Sequence, residues 1–373
     1  MRSVLDRLPA LSVVRGERGV WVAGGAVRDL LLGREPRDVD LVVEDDAVAV
    51  ARRAAERLGG ELVVHDRFGT ATVLAPGAAL NFATAREEAY ARPGALPDVR
   101  LGAPIERDLA RRDFTVNAIA VRVPDGEVAA VPHAMEDLDA RVLRVLHDGS
   151  FADDPTRLLR LARYGARLRF GVEPRTDALA AAARVDTVTP SRLGAELRLL
   201  LREPQPEALL ALEPHGLGRA VLGDGFAPRG DRIVAALALW RSPLVALASA
   251  LEPDPGLAAR LDELQFTAAE RDVLLAAVSA PAVAGGDDVA LWRALRRLPP
   301  EVVAVAGARG DAAAARRWLE DVRHRRLAVT GNDFVAAGLS GPRVGAALDA
   351  ATEAMLGGSA PDRESQLAAG LGA

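Results

Sequence analysis

The sequence predicts an α+β chain, with a small mixed sheet and its helices first and a long all-helical remainder after it. Between residues 19 and 85, short apolar runs with partial two-residue alternation recur between glycine and proline breaks, the pattern of strands. From residue 191 onward the spacing of apolar residues follows the helical period, interrupted only at Gly, Pro and Asp. Half of the residues are hydrophobic but only 4% are aromatic, an Ala-, Leu- and Arg-rich mix that favours helices. At 373 residues the chain exceeds one ordinary core and is expected to hold roughly two to four modules.

In order, residues 1–18 read as a short leading helix and 19–23 as a strand. Gly24 and Gly25 then turn the chain into an amphipathic helix over 27–32, and a second strand covers 37–43 after the turn residues Gly33 and Pro36. Residues 46–58 have helical periodicity, with Asp45 or Asp46 as cap and Gly59-Gly60 as the stop. Three further strands are expected at 61–65, 70–74 and 80–85, separated by Gly69 and by Pro76-Gly77. Residues 86–107 are rich in Pro and Gly and read as one long loop. In 150–170, Asp154 and Pro155 have the types expected of an N-cap and a first helical position. Ser191 is expected to cap the next helix, and helices follow to the C-terminal region.

Candidate chemistry concentrates in three stretches. In an extended strand Asp38 and Asp40 project to one face while Val39, Leu41 and Val43 point to the other. Adjacent carboxylates repel unless a cation joins them, so the pair invites a hard metal such as Mg²⁺; a solvated strand face would carry the same pair. Gly24-Gly25 before a helix lets backbone N–H groups approach a phosphate, and Arg28 adds charge there. A phosphate cradle beside a two-carboxylate metal site equips a protein for nucleotidyl transfer. Arg111, Arg112 and Asp113, with Asn117 in the apolar run that follows, suit a triphosphate and a sugar hydroxyl; a surface ion-pair cluster is the plainer reading. On the third stretch, Leu158, Leu161, Gly165 and Leu168 share one helical face, and Arg157, Arg160, Arg163, Tyr164 and Arg167 share another. That basic face is either solvated or lines a cleft, where Asp154 and Arg157 offer an acceptor and donors to a nucleobase edge.

All 47 basic residues are arginine, and the net charge of −5 argues against nonspecific nucleic-acid binding. Without cysteine there is no disulfide framework and no thiolate metal site, which suits a cytoplasmic enzyme. No apolar run reaches membrane length, and the first residues lack a signal-peptide pattern, so no membrane partner is expected. The five histidines are too scattered to suggest a metal-dependent phosphohydrolase site.

With these stretches in order, the sequence resembles the bacterial tRNA nucleotidyltransferase (CCA-adding enzyme) and poly(A) polymerase family. Gly24-Gly25-Ala26-Val27-Arg28-Asp29 with Asp38-Val39-Asp40 is similar to its first motif, and Arg111-Arg112-Asp113-Phe114-Thr115-Val116-Asn117-Ala118 to its second. Asp153-Asp154-Pro155-Thr156-Arg157, with Arg160 and Arg163, resembles its nucleotide-selecting helix; residues 192–200 resemble the neck motif and 327–345 the tail signature. The resemblance implies a head like that of DNA polymerase beta (1–145), neck helices (146–205), a helical body (206–310) and a tRNA-binding tail (311–373). It implies transfer of CMP and AMP from CTP and ATP to the 3′ end of tRNA, with pyrophosphate release. Asp38 and Asp40 would hold Mg²⁺, and Gly25 and Arg28 would contact phosphates. Arg112, Asp113 and Asn117 would form the triphosphate and ribose site. Asp154 and Arg157 would select the base, assisted by Arg160 and Arg163.

Three departures stand out. Asn81 takes a place that is often acidic in relatives, and residues 131–138 differ from the family's usual hinge segment. Residues 90–99 resemble members adding only CC or only A as much as full CCA enzymes, so a partial enzyme or a poly(A) polymerase is the alternative. A nucleotide-binding protein without catalysis would not need Asp38 and Asp40, and a helical scaffold would not need Arg112, Asp113, Asp154 and Arg157 together.

Overall fold

The structure, a computed structural model, describes residues 5–65, 69–76, 78–204 and 206–372. Gly77, expected in a turn, lies outside these residues. The chain forms two compact units, 1–200 with 214–217, and 201–213 with 218–373.

The first unit is built on strands β1 (Val20–Ala23), β2 (Val39–Val43), β3 (Glu61–His65), β4 (Thr70–Ala75), β5 (Ala78–Thr84), β6 (Arg86–Ala89), β7 (Asp98–Leu101), β8 (Ile119–Val123) and β9 (Val128–Ala130). Seven of them make one sheet in the order β3-β4-β5-β2-β1-β8-β9. Only β2 and β5 pair in parallel, with Asp40 opposite Asn81; the other neighbours are antiparallel. β1 is buried along its whole length, as its central position requires.

Helices α1 (Gly25–Leu31), α2 (Ala47–Leu58) and α3 (Ile105–Ala110) accompany the sheet. Asp46 caps α2 through Ala49 N–H at 2.9 Å, and Gly59 closes it in the left-handed region at φ 61°, as the sequence predicts. Ile105 and Leu109 of α3 pack with Trp21, Val42 and Ala120 in a fully buried cluster. The unit continues with α4 (Ala134–Ala140), α5 (Ser150–Asp153), α6 (Arg157–Leu168), α7 (Pro174–Ala182) and α8 (Pro190–Leu200).

Four expectations need correction. Residues 86–107 are not one loop: β6 and β7 pair as an antiparallel hairpin, and α3 begins at Ile105. The strands went unread because they carry charges in place of an apolar alternation; Glu88 turns inward only because Arg86, Arg111 and Tyr90 satisfy it. Asp154 does not cap α6 as a first-turn residue. Its Oδ1 accepts from Thr156 N–H at 3.1 Å and Thr156 Oγ1 at 2.7 Å, a local turn that delays the helix to Arg157. Helix α8 begins at Pro190, one residue before Ser191. Within the leading segment, Pro9–Val14 form a 3₁₀ helix, so the described part of 1–18 is not one continuous α-helix.

The second unit is helical among its described residues, from Glu207–Leu210 to Arg363–Leu371. Capping boxes start the helices Ala268–Ser279 and Gly331–Ala336, through Thr267 with Glu270 and Thr330 with Asp333. Phe334 is fully buried against Ala347 and Ala351. A Cβ on Gly370 would stand 2.4 Å from its ring, so the last helix approaches only because that residue is glycine. Among the described residues no helix is long and apolar enough to cross a membrane.

Candidate active site

A cavity of about 770 Å³ opens within the first unit, beside the end of β1 and the start of the antiparallel β2. Of the residues singled out from sequence, Gly25, Asp40, Arg112, Asp113, Asn117, Asp154, Arg157 and Arg160 line it, while Arg28, Asp38 and Arg163 do not. Residues far apart in sequence, from Gly25 to Arg160, thus meet at one cavity.

β1 delivers the chain to Gly24, whose φ of 73° suits glycine and whose N–H donates to Ile119 O at 2.9 Å. A Cβ there would lie 2.4 Å from Arg112 Nη1, so the glycine also lets that guanidinium lie across the turn. Asp38, in the bend just before β2, and Asp40, within it, are both exposed. Asp40 is open to the cleft but walled by protein on its other sides. That loss of water raises its pKa; Asp38 adds to the rise, and Asn81 and Arg112 oppose it. Asn81 Nδ2 donates to Asp40 Oδ1 at 3.2 Å, and Thr72 Oγ1 fixes the amide by donating to Asn81 Oδ1 at 3.2 Å. Among the described residues neither Asp38 nor Asp40 has an ion-pair partner.

Arg28 lies behind the cavity wall, 1% exposed. A guanidinium tolerates such burial only when paired, and Asp29 Oδ1 accepts from its Nε at 2.9 Å and its Nη2 at 2.7 Å, while Nη1 donates to Asn117 Oδ1. Asn117 Nδ2 in turn donates to Asp113 Oδ1 at 2.9 Å, and Arg160 Nη1 donates to Asp113 Oδ2 at 3.0 Å. Burial acts to raise the pKa of Asp113, but Arg160, Asn117, the Phe114 N–H and Arg157 outweigh it and hold the carboxyl below the usual range. Asp113, 6% exposed, is no surface ion-pair residue.

The basic arc of α6 is not a solvated face. Arg157 is 4% and Arg163 8% exposed, while Arg160 reaches Glu196 Oε1 at 3.0 Å as well as Asp113. Arg157 spends two donors on the carbonyls of Ser150 (3.3 Å) and Arg111 (2.7 Å), leaving others for the cavity. Arg163 lies over the Tyr164 ring, 4.6 Å from its centroid.

Several residues of the site escaped the sequence reading. Asp108, 1% exposed, accepts from Arg111 Nε and Nη2 (3.0 and 2.7 Å) and from Arg112 Nη2 (3.0 Å), fixing both arginines. Its spacing of three and four residues from them on one helix was the available signal. Arg192 donates to Asp154 Oδ1 at 2.8 Å and to Gly94 O at 2.9 Å. The chain's only two tyrosines, Tyr90 and Tyr164, both line the cavity. Burial, then Glu88, pushes the Tyr90 phenol up to about 12.

Residues 20–144 match the family model described as the poly(A) polymerase head domain. An A-adding tRNA nucleotidyltransferase of Geobacter sulfurreducens is 33% identical over 396 residues, covering 94% of this chain and 44% of that protein. Residues 20–144 thus carry the head domain of this family, and the chain is similar along most of its length to a tRNA nucleotidyltransferase. A CC-adding tRNA nucleotidyltransferase of Deinococcus radiodurans is 40% identical over 207 residues, 54% of this chain and 55% of that protein. The chain thus spans about half the length of these curated relatives. The solved structure of a CCA-adding enzyme in apo form II superposes with a TM-score of 0.83 at 25% identity, covering 99% of this chain and 98% of that one. The fold is accordingly the polymerase-beta-like head of this family followed by an all-helical remainder.

Proposed function

We propose that this chain is a metal-dependent nucleotidyltransferase that extends the 3′ end of tRNA with CMP and AMP from CTP and ATP, releasing pyrophosphate. The observation that carries the reading is the meeting, in one cavity, of Asp40 with the Arg112–Asp113–Asn117 group and the Asp154–Arg157 pair. In this reading residues 1–145 are the catalytic head, 146–205 the nucleotide-selecting neck, 206–310 the body and 311–373 the tRNA-binding tail, and the protein works in the cytoplasm.

Asp38 and Asp40 fit Mg²⁺: both are exposed hard oxygen donors with no ion-pair partner among the described residues. When bound there, the ion would supply Lewis-acid polarisation of the phosphates and lower the cost of ionising the attacking hydroxyl. The chain's own residues orient the reactants. The Gly24-Gly25 turn offers the Gly25 N–H to the triphosphate, and Arg112 lays its guanidinium across that turn. Asp113 receives the ribose hydroxyl, and Asn117 keeps it in place. Arg28, paired within the wall, contributes to the phosphate site by holding Asn117. Asp154 and Arg157 read the Watson–Crick edge of the base without a nucleic-acid template, and Arg160 and Arg163 stiffen that helix face. The 3′ hydroxyl attacks the α-phosphorus, and the bond to the β-phosphate oxygen breaks.

A partial enzyme is the second reading, because curated relatives are named both A-adding and CC-adding. Incorporation of labelled CTP and ATP on tRNAs ending before CCA, after C and after CC separates the cases. Growth to full CCA from the shortest substrate is the expected result. Addition of CC alone, or of A alone onto CC, would assign a partial enzyme, and long A tails on unrelated RNA a poly(A) polymerase. No incorporation with Mg²⁺ present, or normal turnover by Asp40→Ala, would overturn the reading.

A further inference from the structure

A row of polar side chains crosses the sheet beside the acidic pair. Asp40 on β2 lies opposite Asn81 on β5, and Asn81 lies opposite Thr72 on β4. Directly opposed residues share a face of a sheet, so all three look into the cavity that they line. Leu80 and Phe82 on either side of Asn81, and Ala71 and Val73 on either side of Thr72, are buried on the other face. Beyond Thr72 the row ends in Val63 on β3, so the polar strip is three residues wide.

The hydrogen bonds along this row run one way. An ionised Asp40 is an acceptor only, so the Asn81 amide must present its NH₂ group, and Nδ2 donates to Asp40 Oδ1 at 3.2 Å. That turns Asn81 Oδ1 toward β4, where Thr72 Oγ1 donates to it at 3.2 Å. Among the described residues Asp40 accepts no other hydrogen bond, so this amide alone sets the rotation of its carboxylate. The arrangement also occupies the one atom of Asn81 suited to a cation: Oδ1 faces Thr72, and only N–H groups face Asp40.

We propose that Asn81, held by Thr72, is the positioning residue of Asp40, and that the chain's own share of the cation site stops at two carboxylates. The inference rests on the reading of Asp38 and Asp40 as the metal-holding pair and deepens it. An outer partner that orients a ligand is worth roughly ten- to a hundredfold in metal affinity, and the exposure of Asp40 puts the effect here at the low end. A carboxylate at position 81 would exchange a neutral donor for a third hard ligand and raise the affinity for a divalent cation. With the amide in place, the rest of the shell falls to water and to phosphate oxygens, which ties cation binding to nucleotide binding.

The test titrates the full chain with Mn²⁺, read as loss of the free-ion signal in electron paramagnetic resonance, with melting curves alongside. Thr72→Val keeps the branched shape that suits a strand and removes the hydroxyl; Thr72→Ser keeps the hydroxyl and removes a methyl group. Thr72→Val and Asn81→Ala should each weaken Mn²⁺ binding about tenfold, while Thr72→Ser binds as the wild type does. Asn81→Asp should tighten binding several-fold. A packing role for Thr72 predicts the reverse order, with the serine variant the weaker. That order, or unchanged affinity in both Thr72→Val and Asn81→Ala, overturns the proposal, as does an Asn81→Asp variant that binds Mn²⁺ no tighter than wild type. Asp40→Ala separates the two levels. If it binds Mn²⁺ like the wild type, the metal reading fails and this inference with it. If it loses binding while the Thr72 and Asn81 variants do not, only the positioning role fails.

Discussion

Asp108→Asn is the sharpest probe of how the cleft is held together. The native carboxylate, 1% exposed, accepts three bonds from two guanidinium groups and one from Arg86 N–H. Burial acts to raise its pKa, yet Arg112 and Arg111 outweigh that and hold it ionised below the usual range. Removing one partner of a buried charge group costs about 3–5 kcal/mol when the rest stays dry. Here the Arg111 and Arg112 side chains are 19% and 17% exposed, so water from the cleft relieves part of the penalty, leaving about 2–4 kcal/mol. For a unit near 200 residues this lowers the melting temperature by on the order of 10 °C. Arg112 would lose the contact that orients it across Gly24, and each 1.4 kcal/mol of lost orientation is tenfold in nucleotide affinity. Calorimetric melting together with KM for CTP should therefore show both a drop in stability and a KM raised about tenfold. A variant that melts within a degree of wild type with an unchanged KM would refute the view that Asp108 positions the arginines.

Arg157→Ala should blur discrimination of CTP and ATP against GTP and UTP by roughly ten- to a hundredfold, the usual worth of a well-placed donor pair on a base edge; unaltered selectivity in competition assays would leave Arg157 a packing residue. Gly24→Ala should destabilise the first unit by about 1–3 kcal/mol, since φ is 73° and the new methyl would meet Arg112 Nη1; a melt matching wild type would argue against it. Asp108 and Asp113 both have depressed pKa values when folded, so their contribution to stability is present above the unfolded aspartate value of about 3.9 and is lost as pH falls through the lower, folded values. Melting temperatures followed from pH 6 down to 2 should fall through that window, and less steeply in Asp108→Asn; equal slopes would contradict the sign.

Much of this was readable before any coordinates. The cap at Asp46 and the stop at Gly59 are local signals, and local physics decides them. The strand expected over 37–43 begins at Val39, so Asp40 lies in β2 and Asp38 in the bend before it. What stayed hidden depends on partners far along the chain. The β6–β7 hairpin has no apolar alternation, and its inward Glu88 makes sense only once Arg111 is in place. Arg192 draws its role from Asp154 and Gly94, neither predictable from its own helix. Arg28 reads as a surface cation beside a phosphate turn, yet Asp29 and Asn117 draw it into the wall.

The strand order also bears on how the protein is made. β3, β4 and β5 are successive antiparallel neighbours, so this meander can zip as it leaves the ribosome. β1 is synthesised well before β8, yet one of its two edges waits for that strand. Until residues 119–123 emerge, a hydrophobic strand ending at the nucleotide turn lies half unpaired. Arg157, Arg160 and Arg192 arrive later still. A nascent chain therefore owns its acidic pair well before the arginines proposed to read a base, and truncations within 146–205 should yield heads prone to edge-to-edge association.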